Sequence, residues 1–256
     1  MQEDSWESSS RWYDKIVGPQ GHYYHQRVVI PGVLKLLNLK PQENPKLVDL
    51  ACGQGVLARH LPKEVPYLGI DASPSLIRSA QKGPRDPMRR FLTADLTKPL
   101  PKDERDFSHA TILLALQNIS EPQMVLKNAS SLLRVGGKLM IVMSHPCFRI
   151  PRQSSWQVDE SKKLQYRRID RYLSPLKIPI QTHPSQGEES PGTWSYHFPL
   201  SSYSRWLKET GFVIELLEEW CSDKKSTGKT AAMENRCREE FPLFLAILAS
   251  KRKNDE

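Results

Sequence analysis

Three acids at the ends of apolar runs, the first followed at once by glycines, are the residues of this chain whose types and spacing best suit ligand chemistry. In Leu47-Val48-Asp49-Leu50-Ala51-Cys52-Gly53-Gln54-Gly55 a carboxylate sits inside a short buried strand, and Gly53 and Gly55 follow where the backbone must turn. Glycines there let a ligand approach the backbone closely, and a helix expected over 56–61 turns its N-terminal amides toward it. Tyr67-Leu68-Gly69-Ile70-Asp71 reads as a second strand whose terminal Asp71 lies about twenty residues beyond the glycines, the spacing at which an acid can hold both hydroxyls of a ribose. Ser73-Pro74 then opens a helix, with Ser73 as its N-cap and Pro74 at the first helical position. Residues 90–96 read as a third strand, and Asp95 is placed to accept from an adenine amino group. The chemistry these positions suggest is capture of a small, amphoteric, nucleotide-like cofactor.

The glycines alone leave two readings open. Gly53-Gln54-Gly55-Val56-Leu57-Ala58 also fits the dinucleotide fingerprint G-x-G-x-x-A, so an NAD(P)-dependent oxidoreductase is the rival. Asp49 argues against it, because a carboxylate there can receive a cationic amino group that a nicotinamide dinucleotide does not offer. A purely structural Asp capping the glycine turn is the plainer alternative.

Taken together, these runs resemble the class I, Rossmann-like S-adenosylmethionine-dependent methyltransferases, of the type 11-like kind. The likeness is strong over 45–145 and rests on topology elsewhere. It implies that S-adenosyl-L-methionine is the cofactor, that Asp49 faces the methionine amine, and that Gly53 and Gly55 line the methionine part. Asp71 would hold the ribose with Ala72 beside it, and Asp95 with the Leu96 amide would read adenine. Leu114 and an aromatic of the N-terminal arm such as Tyr13 would complete the cofactor pocket. Ala51 stands where many members carry the first glycine of the motif.

The elements that must position these residues follow in chain order. Residues 106–116 read as strand four, 122–133 as a helix, 138–144 as strand five after the Gly136-Gly137 turn, 201–210 as a helix, and 212–220 and 243–250 as two last strands. The expected fold is α/β, a doubly wound seven-stranded and mostly parallel sheet with helices on both faces. The resemblance adds that the last strand inserts antiparallel beside the fifth. One domain over 1–256 is expected, with 1–44 as a helical arm or lid and 148–200 as an inserted cap.

Ligands of open α/β sheets lie beyond the carboxyl ends of the strands, so a methyl acceptor is sought in the loops after strands four and five. Gln117 and Asn118 follow strand four, and His145-Pro146-Cys147-Phe148 follows strand five. Residues 148–200 show little regular pattern, yet a loop longer than about 15 residues is usually a functional lid or disordered, and aromatics such as Trp194 argue for a lid. In the arm, Tyr23 and Tyr24 mix flat rings with His22 and His25 as a second wall. An oxygen or nitrogen acceptor must lose a proton, and histidine titrates near neutral pH. His145 and His197, then His25 and His22, are therefore the candidate bases.

Composition narrows the partners. A 256-residue chain with 38% hydrophobic residues can bury one sizeable core. No apolar run nears the roughly 20 residues that span a bilayer, and the polar, acidic start is unlike a signal peptide, so a cytoplasmic protein is expected. Cys52, Cys147, Cys221 and Cys237 form no C-x-x-C pair, and no metal site is expected. The resemblance implies methyl transfer to an O, N or C atom of a small-molecule acceptor, and the net charge of +8, with clusters at Lys162-Lys163, Arg167-Arg168 and Lys224-Lys225, keeps an RNA base methyltransferase as an alternative. Cys147 would be that alternative's nucleophile if a cytosine carbon were the target. A non-catalytic methyltransferase-like subunit is the remaining alternative, against which all the cofactor acids and glycines stand.

Overall fold

The structure, a computed structural model, describes residues 7, 10–18, 20–82, 86–101, 104–181 and 192–253. Seven strands form the central sheet: β1 (Leu47–Leu50), β2 (Tyr67–Asp71), β3 (Arg89–Thr93), β4 (Phe107–Leu113), β5 (Leu133–Ser144), and the two last strands, Phe212–Trp220 and Phe244–Lys251. In spatial order the penultimate strand comes first, then the last, then β5, β4, β1, β2 and β3. The last strand runs antiparallel to both neighbours, and the pairs from β5 to β3 are parallel, as the resemblance implies. Order reverses between β1 and β4, which places a binding crevice at the carboxyl ends of those strands.

Both faces of the sheet are covered, and residues 139–143 of β5 and 244–249 of the last strand are therefore apolar without alternation. Ile141 and Met143 enter one core with Leu50, Ile70, Ile112 and Leu126, while Met140 and Val142 enter the other with Val33, Leu47 and Leu57. Helices α1 (Ser10–Val17), α2 (Ile30–Leu37), α3 (Pro74–Ala80) and α4 (Pro122–Leu132) flank the sheet's first five strands. Ser73 caps α3 as expected, its hydroxyl accepting from the Leu76 amide at 3.2 Å.

Several expectations are corrected. The helix over 56–61 is a single 3-10 turn, Leu57–His60, because Pro62 drives Leu61 into an extended conformation with φ −78° and ψ 149°. The third strand stops at Thr93, leaving Asp95 in the loop beyond it. Strand β5 starts at Leu133 rather than 138, running through the glycines with an irregular register between Phe107 and His109. Ahead of α2 lies a π-turn, His25–Val29, closed by the Ile30 amide on the His25 carbonyl; Pro31, the next residue, has no N–H to continue a regular ladder.

The largest correction falls in residues 148–200, expected to lack regular structure. The described part of this segment contains two antiparallel ribbons, β6 (Ser154–Asp159) with β7 (Leu164–Ile169), and β8 (Leu176–Gln181) with β9 (Gly192–His197). Helix α5 (Leu200–Glu209), the penultimate strand β10, an unforeseen helix α6 (Ala231–Glu240) and the last strand β11 complete the chain. The first ribbon rests on α6, where Arg236 donates to the Lys163 carbonyl at 3.2 Å and Cys237 to that of Gln165. The second rests on the 3-10 turn Leu116–Asn118 after β4, with Ser195 Oγ donating to the Gln117 carbonyl at 3.4 Å. Among the described residues no helix is long and apolar enough to cross a membrane.

Candidate functional site

The carboxyl ends of β1 and β2 gather the predicted acids in one corner. Asp49 is buried, and both its oxygens receive hydroxyls from the flanking strands: Tyr67 Oη at 2.9 Å and Thr111 Oγ1 at 2.6 Å. Burial pushes its pKa up to about 6 against these two hydrogen bonds, and the nearby charge of Asp71 adds to the rise. A carboxylate so placed, with about four acceptor sites of which two are used, gains by meeting a cation.

Asp71 is held differently. Its Oδ2 accepts the Gly53 N–H at 2.8 Å and its Oδ1 the Ser73 N–H at 2.9 Å, so it ties the glycine loop to the start of α3. Burial raises its pKa despite those bonds. Ala72 is exposed beside it. Glu7 reaches the same place, accepting from the Ser73 and Ser75 hydroxyls and from the Ser75 amide at 3.2 Å.

The loop between Asp49 and Asp71 fits a ligand that needs close backbone approach. Ala51, Gly53 and Gly55 all lie in the left-handed region, at φ 58°, 55° and 74°. A Cβ on Gly55 would come within 3.0 Å of the Phe91 ring, and one on Gly69 within 2.8 Å of Cys52 Sγ, so the loop packs against β2 and β3 without room for side chains. Arg59 closes it from the far side, donating to the carbonyls of Gln54 at 2.5 Å and Gly55 at 3.0 Å. Gln54 in turn donates to the Gly18 carbonyl at 3.1 Å and moors the arm. A left-handed alanine costs on the order of 1 kcal/mol, part of which glycine returns as unfolded-chain entropy. Ala51→Gly is expected to raise urea-denaturation stability by about 0.5 kcal/mol; an equal or lower midpoint would show that the loop is unstrained at this position.

Asp95 accepts the Thr97 amide at 2.9 Å and its hydroxyl at 2.7 Å, forming a turn in which Leu96 is buried. Sequence reasoning missed the residue that holds this turn. Asn128 of α4, itself buried, donates to the carbonyls of Leu96 at 2.9 Å and Lys98 at 2.8 Å. A polar residue on the inward face of an otherwise apolar helix was the available signal. Tyr13 lies in α1, but its side chain is outside the described residues.

The acceptor-side candidates separate into two groups. Leu114, left-handed at φ 55°, begins the first, and its carbonyl accepts from Gln117 Nε2 at 2.9 Å and Asn118 Nδ2 at 3.4 Å. Gln117 Oε1 is buried without a partner, as is Thr193 Oγ1 on β9. Thr193, Ser195 and His197 alternate along β9 on the face that Ser195 turns to Gln117. Trp194 faces the other way, under the Lys177 ammonium at 4.3 Å. His197 is buried, and its Nε2 donates to the Tyr172 carbonyl at 2.6 Å, which leaves Nδ1 unprotonated in the neutral ring. Burial lowers its pKa, opposed by that hydrogen bond.

His145, Phe148, Tyr23 and Tyr24 form the second group. His145 differs from the expectation of a free base. Its Nδ1 accepts the Cys147 amide at 3.2 Å, so Nε2 carries the proton and gives it to Glu219 at 2.6 Å, and no lone pair remains. Phe148 stacks on it at 4.8 Å. His22 is similarly spent, its Nδ1 accepting the Tyr24 amide at 3.1 Å. His25, buried against His22, has its pKa driven down to about 3 by burial first and by the two neighbouring imidazoles, and its buried Nδ1 lacks a partner. Tyr24 bonds Ser222 at 3.1 Å and Lys224 sits over both tyrosine rings, which staples the arm to the loop after β10. Cys147 Sγ lies 3.5 Å from the Tyr172 hydroxyl.

Comparison with known proteins agrees with this geometry. A methyltransferase domain family matches residues 21–217. A demethylmenaquinone methyltransferase of Thermotoga maritima is 31% identical over 112 residues, 42% of this chain and 48% of that protein. A ubiquinone biosynthesis O-methyltransferase of Coxiella burnetii is 31% identical over 96 residues, 36% and 41% respectively. The chain thus spans about half the length of the curated relatives it matches. Among solved structures, an S-adenosylmethionine-dependent methyltransferase from Mesorhizobium loti superposes with a TM-score of 0.68 at 25% identity, covering 91% of this chain and all of that one. S-adenosylmethionine is the methyl donor of this class, and the chain belongs to the methyltransferase domain family, with the Rossmann-like fold of its S-adenosylmethionine-dependent members.

Proposed function

We propose that this chain methylates an oxygen or nitrogen of a small-molecule acceptor enclosed between the sheet's carboxyl edge and the β8–β9 ribbon. The observation that carries this reading is the buried polar face Thr193–Ser195–His197, set on the turn after β4. A cap that buries its polar face against the sheet suits a compact ligand better than a polymer. The basic clusters favour the same class, since Lys162 pairs with Asp159 at 3.7 Å, Arg168 with Asp170 at 3.9 Å and Lys225 with Glu239. Two relatives named for demethylmenaquinone and ubiquinone chemistry point the same way.

Bound S-adenosylmethionine supplies an electrophilic methyl group on a sulfonium. Asp49 would meet its ammonium, Asp71 its ribose, and Asp95 with the Leu96 amide its adenine. His197 Nδ1 takes the proton that the acceptor hydroxyl or amine releases as the new bond forms, and the Tyr172 carbonyl fixes the ring in the tautomer this requires. Gln117 Oε1 and Thr193 Oγ1, both without partners, orient the acceptor. The lowered pKa keeps His197 neutral, and so able to accept, at physiological pH.

Incubation with methyl-labelled S-adenosylmethionine and either a low-molecular-weight metabolite fraction or total RNA tests the class. Label is expected in the metabolite fraction, and label confined to RNA refutes the proposal. On the acceptor so found, His197→Gln is expected to lower kcat about 100-fold or more and flatten the acidic limb of its pH profile. Its affinity for S-adenosylhomocysteine should stay within about twofold. Unchanged turnover would remove His197 from the reaction.

A further inference from the structure

One pair of cations at the carboxyl edge has no counterion among the described residues. Arg149 follows β5, its amide bonded to the His145 carbonyl at 2.8 Å, and its half-buried guanidinium lies 5.4 Å from the centre of the Trp156 ring. Arg167 of β7 reaches the same ring at 5.1 Å. Arg167 is aimed by two neutral acceptors, the Phe148 carbonyl at 2.8 Å and Ser154 Oγ at 2.9 Å. No carboxylate among the described residues pairs with either arginine, and Arg149 Nε is buried without any acceptor. Glu219, the acid of this neighbourhood, is engaged by His145. Phe241 meets both Trp156 and Phe148 edge-on, at 5.6 Å each, so the surroundings of the two charges are aromatic.

An unpaired guanidinium on a surface is ordinary, because water solvates it. Arg149 is different: burying an N–H without an acceptor forfeits its solvation with nothing in return, and a second cation beside it adds repulsion. Flat guanidinium groups suit two-pronged pairing with carboxylate or phosphate oxygens, and an indole suits a flat ring. We infer that Arg149, Arg167 and Trp156 form an anion-binding subsite that seats a carboxylate or phosphate group of an aromatic acceptor. This rests on the small-molecule reading above and specifies it: the acceptor is an aromatic acid or aromatic phosphate, held at its anionic end by the loop after β5 and the first ribbon.

The test is a calorimetric titration of the full chain with benzoate, phenyl phosphate and the neutral benzamide. Benzoate or phenyl phosphate is expected to bind at least tenfold more tightly than benzamide, and the better of the two identifies the anionic group. Arg149→Gln is expected to weaken the anions tenfold or more and leave benzamide and S-adenosylhomocysteine unchanged. Arg149→Lys, which keeps the charge and loses the fork, should bind the anions with intermediate affinity. It serves if the glutamine variant does not fold. Anions binding no better than benzamide, or binding Arg149→Gln as well as the parent, overturns the subsite. Binding of S-adenosylhomocysteine without anion binding refutes only the subsite, whereas anion binding without it refutes the donor reading and leaves the subsite standing.

Discussion

Asp49→Asn is expected to abolish most cofactor affinity while leaving the protein as stable as the parent or more so. The two effects separate because Asp49 is bonded only by hydroxyls, Tyr67 Oη and Thr111 Oγ1. A hydroxyl both donates and accepts, so one of the two can turn to receive the new amide N–H. Tyr67 has a ready alternative partner in the neighbouring Cys52 thiol. The substitution meanwhile removes a buried charge whose pKa stands at about 6 against the ordinary 3.8, a penalty on the order of 3 kcal/mol when fully ionised. Because the folded pKa is raised, protonated Asp49 favours the native state fully below about pH 4, and that contribution is lost as pH rises through 6. The stability advantage of the asparagine variant should accordingly grow from pH 4 to pH 7 and level off above. For the parent, S-adenosylhomocysteine should bind more weakly below pH 6, since its ammonium favours the ionised carboxylate. Urea denaturation across that pH range, with calorimetric titration of S-adenosylhomocysteine, measures both. A variant that binds normally would take Asp49 out of the cofactor site.

What the sequence revealed of this corner was local. Asp49, Asp71 and their strands are set by apolar runs and a glycine turn within a few residues, and Ser73-Pro74 states its own helix start. The sheet was legible for the same reason, because strands buried on both faces are continuous apolar runs. The missing pieces depend on distant partners. The ribbon β6–β7 has an exposed outer face and only weak alternation, and Pro179 sits within the alternating run Leu176–Gln181 of the second, so neither stands out from loop. Helix α6 has Cys237 as its one buried residue, and its other apolar residues cluster in the first turn, so it carries no apolar stripe to reveal it. His145 looked like a base until Glu219, 74 positions on, claimed its second nitrogen. His197 looked no better than the others, and its free Nδ1 follows from a carbonyl 25 positions earlier. Spacing brought out Asp49, Asp71 and the glycine turn, while the proposed acceptor side is assembled from side chains that only the folded sheet edge brings together.

The same substitution one strand away is expected to do the opposite to stability. Asp71→Asn should lose both cofactor affinity and about 2 kcal/mol of stability, because its partners are the backbone amides of Gly53 and Ser73, which can only donate. An asparagine offers one oxygen for two N–H groups, so one of them must face the new NH2 and is left buried and unpaired. Removing the charge returns part of the loss, since burial already raises the Asp71 pKa and Glu7 lies close by. A charge-assisted bond to each amide outweighs that relief. The loop consequence follows from which amide is abandoned. Without the Gly53 bond, the left-handed turn from Ala51 to Gly55 keeps only the Cys52 amide on the Ile70 carbonyl as its hydrogen-bonded tie to β2, and the Gln54 contact that moors the arm at Gly18 loosens with it. Hydrogen exchange should therefore quicken at Gly53, Gly55 and Gly18 in Asp71→Asn and not in Asp49→Asn. Affinity for S-adenosylhomocysteine should fall about 100-fold or more, since the ribose partner and the cradle fail together. An Asp71→Asn protein with parental stability and unchanged exchange at Gly53 would show that this carboxylate serves the ligand alone and does not hold the loop.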